Sequence, residues 1–266
     1  MSIEHPAQDP AAYDPANIPR DFLPAAGAAV QRRFVWGHGW GQNRAAMAAL
    51  AQTFSAFGSH TLVDFPGFGA APPPPESWGT AEYADLMAAF ISTLPPAPET
   101  IWVGHSFGCR VGLQLAARHP GVISRMCLIA GAGLPRRRSA MEQARVTAKI
   151  YTYKTLRQLA PVIGLDTDKL RARFGSADYR NAGAMRSVLT RVVNEDLSEV
   201  AGKVRCPVLL VYGSKDTETP PEIGRRLEQL IPGAKLAVLD GLDHYSVLGE
   251  GRHQVARRLR DFLGDV

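Results

Sequence analysis

The sequence has 266 residues, of which 45% are hydrophobic and 21% are charged, and its formal net charge is +5. This length and composition exclude a chain that is too short or too polar to bury a core, and they favour one large globular domain. No run approaches the roughly 18 to 20 apolar residues that cross a bilayer, and residues 1–24 lack a basic start followed by an apolar stretch, so we expect neither a membrane span nor a secretory signal.

Residues 1–30 are rich in proline and alanine and weakly patterned, which predicts an extended N-terminal arm. Beyond them, short apolar runs alternate with segments of helical periodicity, a pattern typical of parallel strands joined by crossover helices. It predicts an α/β fold with a doubly wound, mostly parallel sheet of about six to eight strands. The predicted strands are 33–36, 61–64, 100–104, 125–130, 207–212 and 236–240. The predicted helices between them are 44–57, 80–94, 107–118, 222–231 and 253–262.

The alternation breaks after residue 130, where about 75 residues precede the next strand. A crossover connection needs only about a dozen residues. The long connection instead predicts helices at 138–159, 167–174 and 182–193. We therefore predict a core made of residues 31–133 and 199–266, with a helical cap inserted at residues 134–198. Extra helices packed on the sheet are the alternative.

The run Gly104-His105-Ser106-Phe107-Gly108 leads from a predicted strand directly into a predicted helix and has the form G-x-S-x-G. So sharp a turn brings neighbouring backbones too close for side chains, so it requires glycines and leaves the central residue exposed. Free N–H groups and the helix dipole favour developing negative charge there. The pattern predicts Ser106 as a nucleophile, with an ordinary turn serine as the alternative.

A serine nucleophile needs a general base and an acid that orients the base. Of the seven histidines, His244 is the one that follows the last predicted strand, at the carboxyl edge of the sheet. Asp216 follows the preceding strand at the same edge. The chain order Ser106, Asp216, His244 matches the order that accompanies this motif. Asp243 is the nearest rival to Asp216 as the acid.

Acyl transfer also requires hydrogen-bond donors for the oxyanion. One candidate is the backbone N–H of Phe107, directly after the nucleophile. The other is the backbone N–H of Trp40, in the glycine-rich run 36–41 after the first predicted strand. The sequence thus predicts an oxyanion hole formed by Trp40 and Phe107.

Together these residues resemble the α/β-hydrolase superfamily, in the branch with a helical cap. The resemblance covers about residues 33–263 and depends on five motifs. These are His-Gly-Trp-Gly at 38–41, Asp-Phe-Pro-Gly-Phe-Gly at 64–69, the elbow at 104–108, Gly-Ser-Lys-Asp at 213–216 and Asp-His at 243–244. Members of this superfamily usually open with a strand hairpin, which the first 30 residues do not predict, so six strands are expected where relatives have eight.

The serine elbow resembles that of esterases, thioesterases, lipases and carbon–carbon bond hydrolases, whereas dehalogenases and epoxide hydrolases have an aspartate there. The run 38–41 and a basic cap are similar to the carboxylesterases that demethylate pimeloyl-carrier-protein esters, although those enzymes have Trp in the elbow where this chain has His105. The resemblance implies a serine hydrolase that cleaves an ester or thioester through an acyl-enzyme. A carbon–carbon bond hydrolase and a non-catalytic ligand-binding protein are the alternatives.

The positive charge is concentrated in one segment. Residues 134–191 hold 13 Lys/Arg against 4 Asp/Glu, a net +9, and the remainder holds 17 against 21, a net −4. This segment favours an anionic or carrier-bound substrate, with a merely solvated helix surface as the alternative. No motif for nucleic-acid recognition accompanies it, so no nucleic-acid partner is expected.

The three cysteines are widely separated and odd in number. This usage predicts reduced thiols in a cytoplasmic protein, and neither a metal nor a cofactor is expected.

Overall fold

The computed structural model describes residues 14–26, 32–75, 77–137, 140–163 and 181–264. Its strands are β1 (Arg20–Leu23), β2 (Arg32–Gly37), β3 (Ser59–Val63), β4 (Glu99–His105), β5 (Arg125–Ile129), β6 (Val208–Gly213) and β7 (Lys235–Leu239). Its helices are α1 (Ala45–Gln52), α2 (Thr80–Thr93), α3 (Phe107–Arg118), α4 (Ala140–Ile163), α5 (Arg186–Asn194), α6 (Ser198–Ala201), α7 (Pro221–Leu230) and α8 (Arg252–Leu263). Short 3₁₀ turns cover Pro15–Asn17 and Gly183–Met185.

The seven strands form one sheet in the order β1-β3-β2-β4-β5-β6-β7. Only β1 is antiparallel, pairing with β3, and the other pairs are parallel. The strand order reverses between β2 and β4, where Gly37 pairs with Gly104. Loops that leave adjacent strands on either side of such a reversal diverge and leave a crevice at the carboxyl ends, which is where ligands bind in open α/β sheets. The predicted α/β fold is confirmed.

Both faces of the sheet are covered by apolar side chains, as expected of a parallel sheet. Alternation along β2 sends Val35 to one face and Phe34 and Trp36 to the other. The first face packs against α2 and α3, and the second against α1 and α8. This two-sided burial holds the carboxyl ends of β2, β4, β5 and β6 at fixed positions.

The prediction that residues 1–30 form an arm outside the sheet is wrong for β1. Its four residues pair antiparallel with β3, from Arg20 opposite Val63 to Leu23 opposite His60. Three of the four are exposed, so β1 has no apolar alternation that the sequence could reveal. Within the described residues the sheet therefore has seven strands, in the predicted range of six to eight.

The long connection between β5 and β6 is helical where it is described. The helix predicted at 138–159 corresponds to α4, and the one predicted at 182–193 corresponds to the 3₁₀ turn at Gly183–Met185 followed by α5. The helix predicted at 167–174 lies outside the described residues. Most described side chains of α4 are exposed, including Met141, Ile150 and Tyr151. No helix in the described ranges is both long enough and apolar enough to cross a membrane.

Candidate active site

Ser106 occupies the single residue between the end of β4 and the start of α3. Its φ of +49° and ψ of −103° lie in a region that residues other than glycine rarely adopt. A Cβ on Gly104 would lie 2.5 Å from the carbonyl oxygen of Gly108, and one on Gly108 would lie 2.3 Å from that of Gly37. The backbones are therefore in direct contact around a strained serine, the geometry expected of a G-x-S-x-G turn.

His244 and Asp216 form a buried hydrogen-bonded pair. His244 Nδ1 lies 2.8 Å from Asp216 Oδ2, and the two side chains are almost fully buried. Because a carboxylate only accepts, Nδ1 carries the proton and Nε2 presents its lone pair. Burial alone would raise the pKa of Asp216, but hydrogen bonds from His244 and Thr219 hold it below the ordinary value. Asp216 is thus held as a charged carboxylate against Nδ1 of His244.

Two residues that the sequence analysis did not identify complete this pair. Thr219 donates its backbone N–H to Asp216 Oδ1 at 2.8 Å, and its hydroxyl lies 2.9 Å from Asp216 Oδ2 and 3.1 Å from His244 Nδ1. Glu218 places Oε2 3.6 Å from His244 Nε2, on the side of the ring away from Asp216. An Asp followed three residues later by Thr is a local capping signal, and it could have identified Thr219. The rival acid, Asp243, instead accepts from the backbone of Tyr245 at 3.0 Å.

The two residues predicted to supply oxyanion donors, Trp40 and Phe107, line the same cavity as Ser106. In the described part of the chain, no hydrogen bond engages the backbone N–H of Phe107 or of Trp40. The Trp40 ring packs edge-on against Phe107, with ring centroids 5.6 Å apart. Both N–H groups are thus without a described acceptor, which the predicted oxyanion hole requires.

His38 fixes the loop that carries Trp40. Its Nδ1–H donates to the carbonyl of Gly39 at 2.7 Å, and its Nε2 accepts the N–H of Phe65 at 3.1 Å. Burial lowers the pKa of His38 to about 4, so the ring stays neutral and both hydrogen bonds persist at neutral pH. The sequence analysis identified His38 only as part of a motif.

His105 joins the loop of Trp40 to the loop of His244. Its Nε2 lies 2.9 Å from the backbone carbonyl of His244, and its Nδ1 lies 3.1 Å from Gln42 Oε1, which also accepts the N–H of Gly39. Burial lowers the pKa of His105 to about 3, so the neutral ring has one N–H for these two acceptors. The residue before Ser106 therefore contacts both loops that flank the serine.

Four of the five predicted site residues line one cavity of about 860 Å³, namely Ser106, Phe107, Trp40 and His244. Asp216 does not line it and lies behind His244. The cavity wall also includes Arg110, the carboxylate-bearing Glu218, and apolar side chains from the connection between β5 and β6, namely Leu134, Leu189, Val192 and Val193. Among the described residues, no group of three His, Cys, Asp or Glu side chains is placed to hold a metal ion.

A family model described as the alpha/beta hydrolase family matches residues 34–258. The chain is 31% identical over 244 residues to the pimeloyl-[acyl-carrier protein] methyl ester esterase of Neisseria meningitidis strain Z2491, an alignment that covers 86% of this chain and 76% of the relative. It is 29% identical over 215 residues to the protein of the same name from Chromobacterium violaceum, covering 75% of this chain and 82% of that one.

Solved structures share the fold. The esterase EaEST from Exiguobacterium antarcticum aligns with a TM-score of 0.69 at 20% identity, covering 93% of this chain and 95% of its own. The enol-lactonase from Burkholderia xenovorans LB400 aligns with a TM-score of 0.68 at 22% identity, covering 93% and 96%. At these identities the likeness demonstrates the shared architecture.

Proposed function

This chain belongs to the alpha/beta hydrolase family, and on that premise we propose that it hydrolyses a carboxylic ester with Ser106 as the nucleophile. The observation that carries the proposal is the 2.8 Å contact between Asp216 and His244, because His244 lines the same cavity as Ser106. A strained serine turn and two free N–H groups support the same chemistry. Each feature matches one requirement of acyl transfer.

In the proposed mechanism, Ser106 Oγ attacks the ester carbonyl while His244 Nε2 takes its proton. Asp216 keeps the imidazole in the required tautomer and stabilises the imidazolium that forms. The N–H groups of Phe107 and Trp40 bind the oxyanion of the tetrahedral intermediate. His244 then protonates the departing alcohol, leaving an acyl-enzyme. Water attacks this acyl-enzyme with the same base and releases the acid and free Ser106.

The relatives' names make a methyl ester the first substrate to test, and an acyl group attached to a carrier protein is the partner they suggest. Cations on the connection between β5 and β6 support an acidic partner. The exposed cations described there include Arg136, Arg137, Arg145, Lys154 and Arg157. We assign residues 134–198 to a cap over the site, because Leu134, Leu189 and Val192 from this segment line the cavity.

A fluorophosphonate probe combined with methyl ester hydrolysis tests the proposal. We expect the wild-type protein to be labelled and active, and Ser106→Ala to lose both properties. Ser92→Ala is the matched control, because Ser92 is exposed and hydrogen-bonds only the carbonyl of Ala89 within its own helix. Labelling that persists in Ser106→Ala would exclude Ser106 as the nucleophile.

A further inference from the structure

A cation lies in the wall of the active-site cavity. Arg110 belongs to α3, four residues after Ser106, and lines the same cavity as Ser106 and His244. Arg110 lies in the first turn of α3, the helix that begins directly after Ser106. The guanidinium of Arg110 is therefore within reach of groups a few bonds from the carbon that Ser106 would attack.

The guanidinium of Arg110 lacks a carboxylate partner in the described part of the chain. Its one hydrogen bond there runs from Nη1 to the backbone carbonyl of Glu195, at 3.2 Å. The side chain of Glu195 is directed instead to Thr80, accepting its backbone N–H at 3.0 Å. Asp196 accepts the backbone N–H of Ser198 at 2.9 Å. A guanidinium has five N–H donors, so most of those on Arg110 have no acceptor among the described residues.

A partly buried cation without an anionic partner costs free energy unless an anion binds beside it. Arg110 is partly buried, and burial lowers its pKa while the charges of Glu195 and Asp196 raise it, yet a guanidinium stays protonated at any working pH. Apolar neighbours in the cavity wall, such as Leu189 and Val192, offer it no hydrogen bonds. A planar fork of free donors matches a carboxylate in bidentate geometry.

We infer that Arg110 selects esters whose acyl part carries a carboxylate a few bonds from the scissile carbonyl, that is, monoesters of short dicarboxylic acids. The inference rests on the proposed function and narrows its substrate class. The anion would pair with Arg110 while the ester carbonyl faces Ser106. Three other charged residues line the cavity: Glu195, whose carboxylate accepts from Thr80, Glu218 beside His244, and Arg136, whose guanidinium donates to the carbonyl of Thr217. Glu218 would repel a misplaced carboxylate, which favours the orientation toward Arg110.

Kinetics on matched esters test the inference. Monomethyl succinate and monomethyl glutarate carry the anion, and methyl succinamate and methyl glutaramate are neutral esters of nearly the same shape. We expect wild-type kcat/KM to favour each monoacid over its amide. In Arg110→Gln this ratio should fall about 10- to 100-fold, the range for one lost charge-assisted hydrogen-bonding group. Arg110→Lys should recover part of the ratio, because it keeps the charge without the fork.

Arg118→Gln is the matched control, since it removes the same charge from the same helix away from the cavity. Its ratio should equal that of the wild type. A purely structural role of Arg110 would slow both esters alike and leave the ratio unchanged, which would overturn the inference. The inference would also be overturned if Arg136→Gln lost the preference for the monoacid ester and Arg110→Gln kept it. The anion would then bind at Arg136.

Calorimetric titration of Ser106→Ala with glutarate separates this inference from the proposed function. Glutarate binding that is lost in the Ser106→Ala, Arg110→Gln double variant supports the anion site even if Ser106 proves not to be the nucleophile. If the wild-type protein hydrolyses methyl esters but Ser106→Ala does not bind glutarate, the anion site is excluded. The proposal of ester hydrolysis is then unaffected.

Discussion

The two carboxylates near His244 differ in what they contact, and this difference predicts different effects on catalysis. Asp216 is 2.8 Å from Nδ1 and almost fully buried, whereas Asp243 is exposed and accepts from the backbone of its own turn. We expect Asp216→Asn to reduce kcat by about 10⁴-fold, because the imidazole would lose its tautomer control. Asp243→Asn keeps an acceptor for the turn and should retain near wild-type kcat. Equal losses in the two variants would contradict the assignment, and steady-state hydrolysis of a methyl ester measures both.

At the scale of single residues, chain order and strand ends were enough to select Ser106, Asp216 and His244 as candidates. Those three positions lie one, three and five residues after the ends of β4, β6 and β7, so a coarse strand prediction brings them to one edge. Thr219 could have been identified from its local spacing to Asp216, whereas Arg110 was missed because its surroundings depend on distant residues. Arg110 meets the carbonyl of Glu195, 85 residues away, and no local pattern marks such a contact.

The glycines of the elbow are a property of the strand–turn–helix element, and their removal should act on stability. A Cβ at position 108 would lie 2.3 Å from the carbonyl oxygen of Gly37, a backbone atom that cannot rotate away. We expect Gly108→Ala to lower the free energy of unfolding by about 3 kcal/mol or more. Gly202 follows α6 with φ of −64°, and a Cβ there would lie an ordinary 3.6 Å from its nearest neighbour.

Gly202→Ala is therefore the matched control, with an expected change within about 1 kcal/mol on the stabilising side. Urea denaturation of both variants gives the comparison. A small loss in Gly108→Ala would mean that β2 and α3 separate more easily than their contact implies.

Elements with strong apolar periodicity were predicted well, and the weakly patterned ones were not. The helix α3 begins and ends at the predicted residues, because its buried face is nearly continuous from Phe107 to Ala116. The strand β1 escaped prediction because an edge strand gains its stability from backbone pairing with β3 and leaves its side chains exposed. The first helix was predicted to reach residue 57, but it ends at Gln52 and continues as turns.

Buried neutral histidines make the stability of the whole molecule sensitive to acid. Burial lowers the pKa of His38 and His60 to about 4 and that of His105 to about 3, from an ordinary 6.5. The unfolded chain therefore binds more protons than the folded one between pH 6.5 and about 4. Stability should be complete above pH 6.5 and fall as the pH drops through this window, by at most about 1.4 kcal/mol per pH unit for each histidine.

Replacing one of these histidines measures its contribution to the pH dependence of the free energy of unfolding. His60 donates to the carbonyl of Phe54 and accepts from Trp36, and glutamine can do both. We expect His60→Gln to flatten the dependence of the free energy of unfolding on pH by up to one proton, and the exposed His253→Gln to leave it unchanged. If the free energy of unfolding has the same slope against pH in His60→Gln and the wild type between pH 6.5 and 4.5, His60 takes up its proton in the folded state as readily as in the unfolded state. That result would contradict the prediction.

The uneven charge distribution of the molecule predicts that its association with a large anionic substrate depends on salt. Residues 134–191 carry a net +9 while the rest of the chain carries −4, so the field is concentrated on one segment. If the substrate is bound to an acidic carrier protein, its kcat/KM should fall several-fold as salt rises from about 0.05 to 0.5 M, because the Debye length shortens below about 10 Å. A small neutral methyl ester should show a flat response.

Replacing Arg145, Lys154 and Arg157 of α4 together by glutamine should remove most of the salt dependence for the carrier-bound substrate and leave the neutral ester unaffected. A carrier-bound ester with a flat salt response would instead mean that α4 is only a solvated surface and that charge recognition is confined to the cavity.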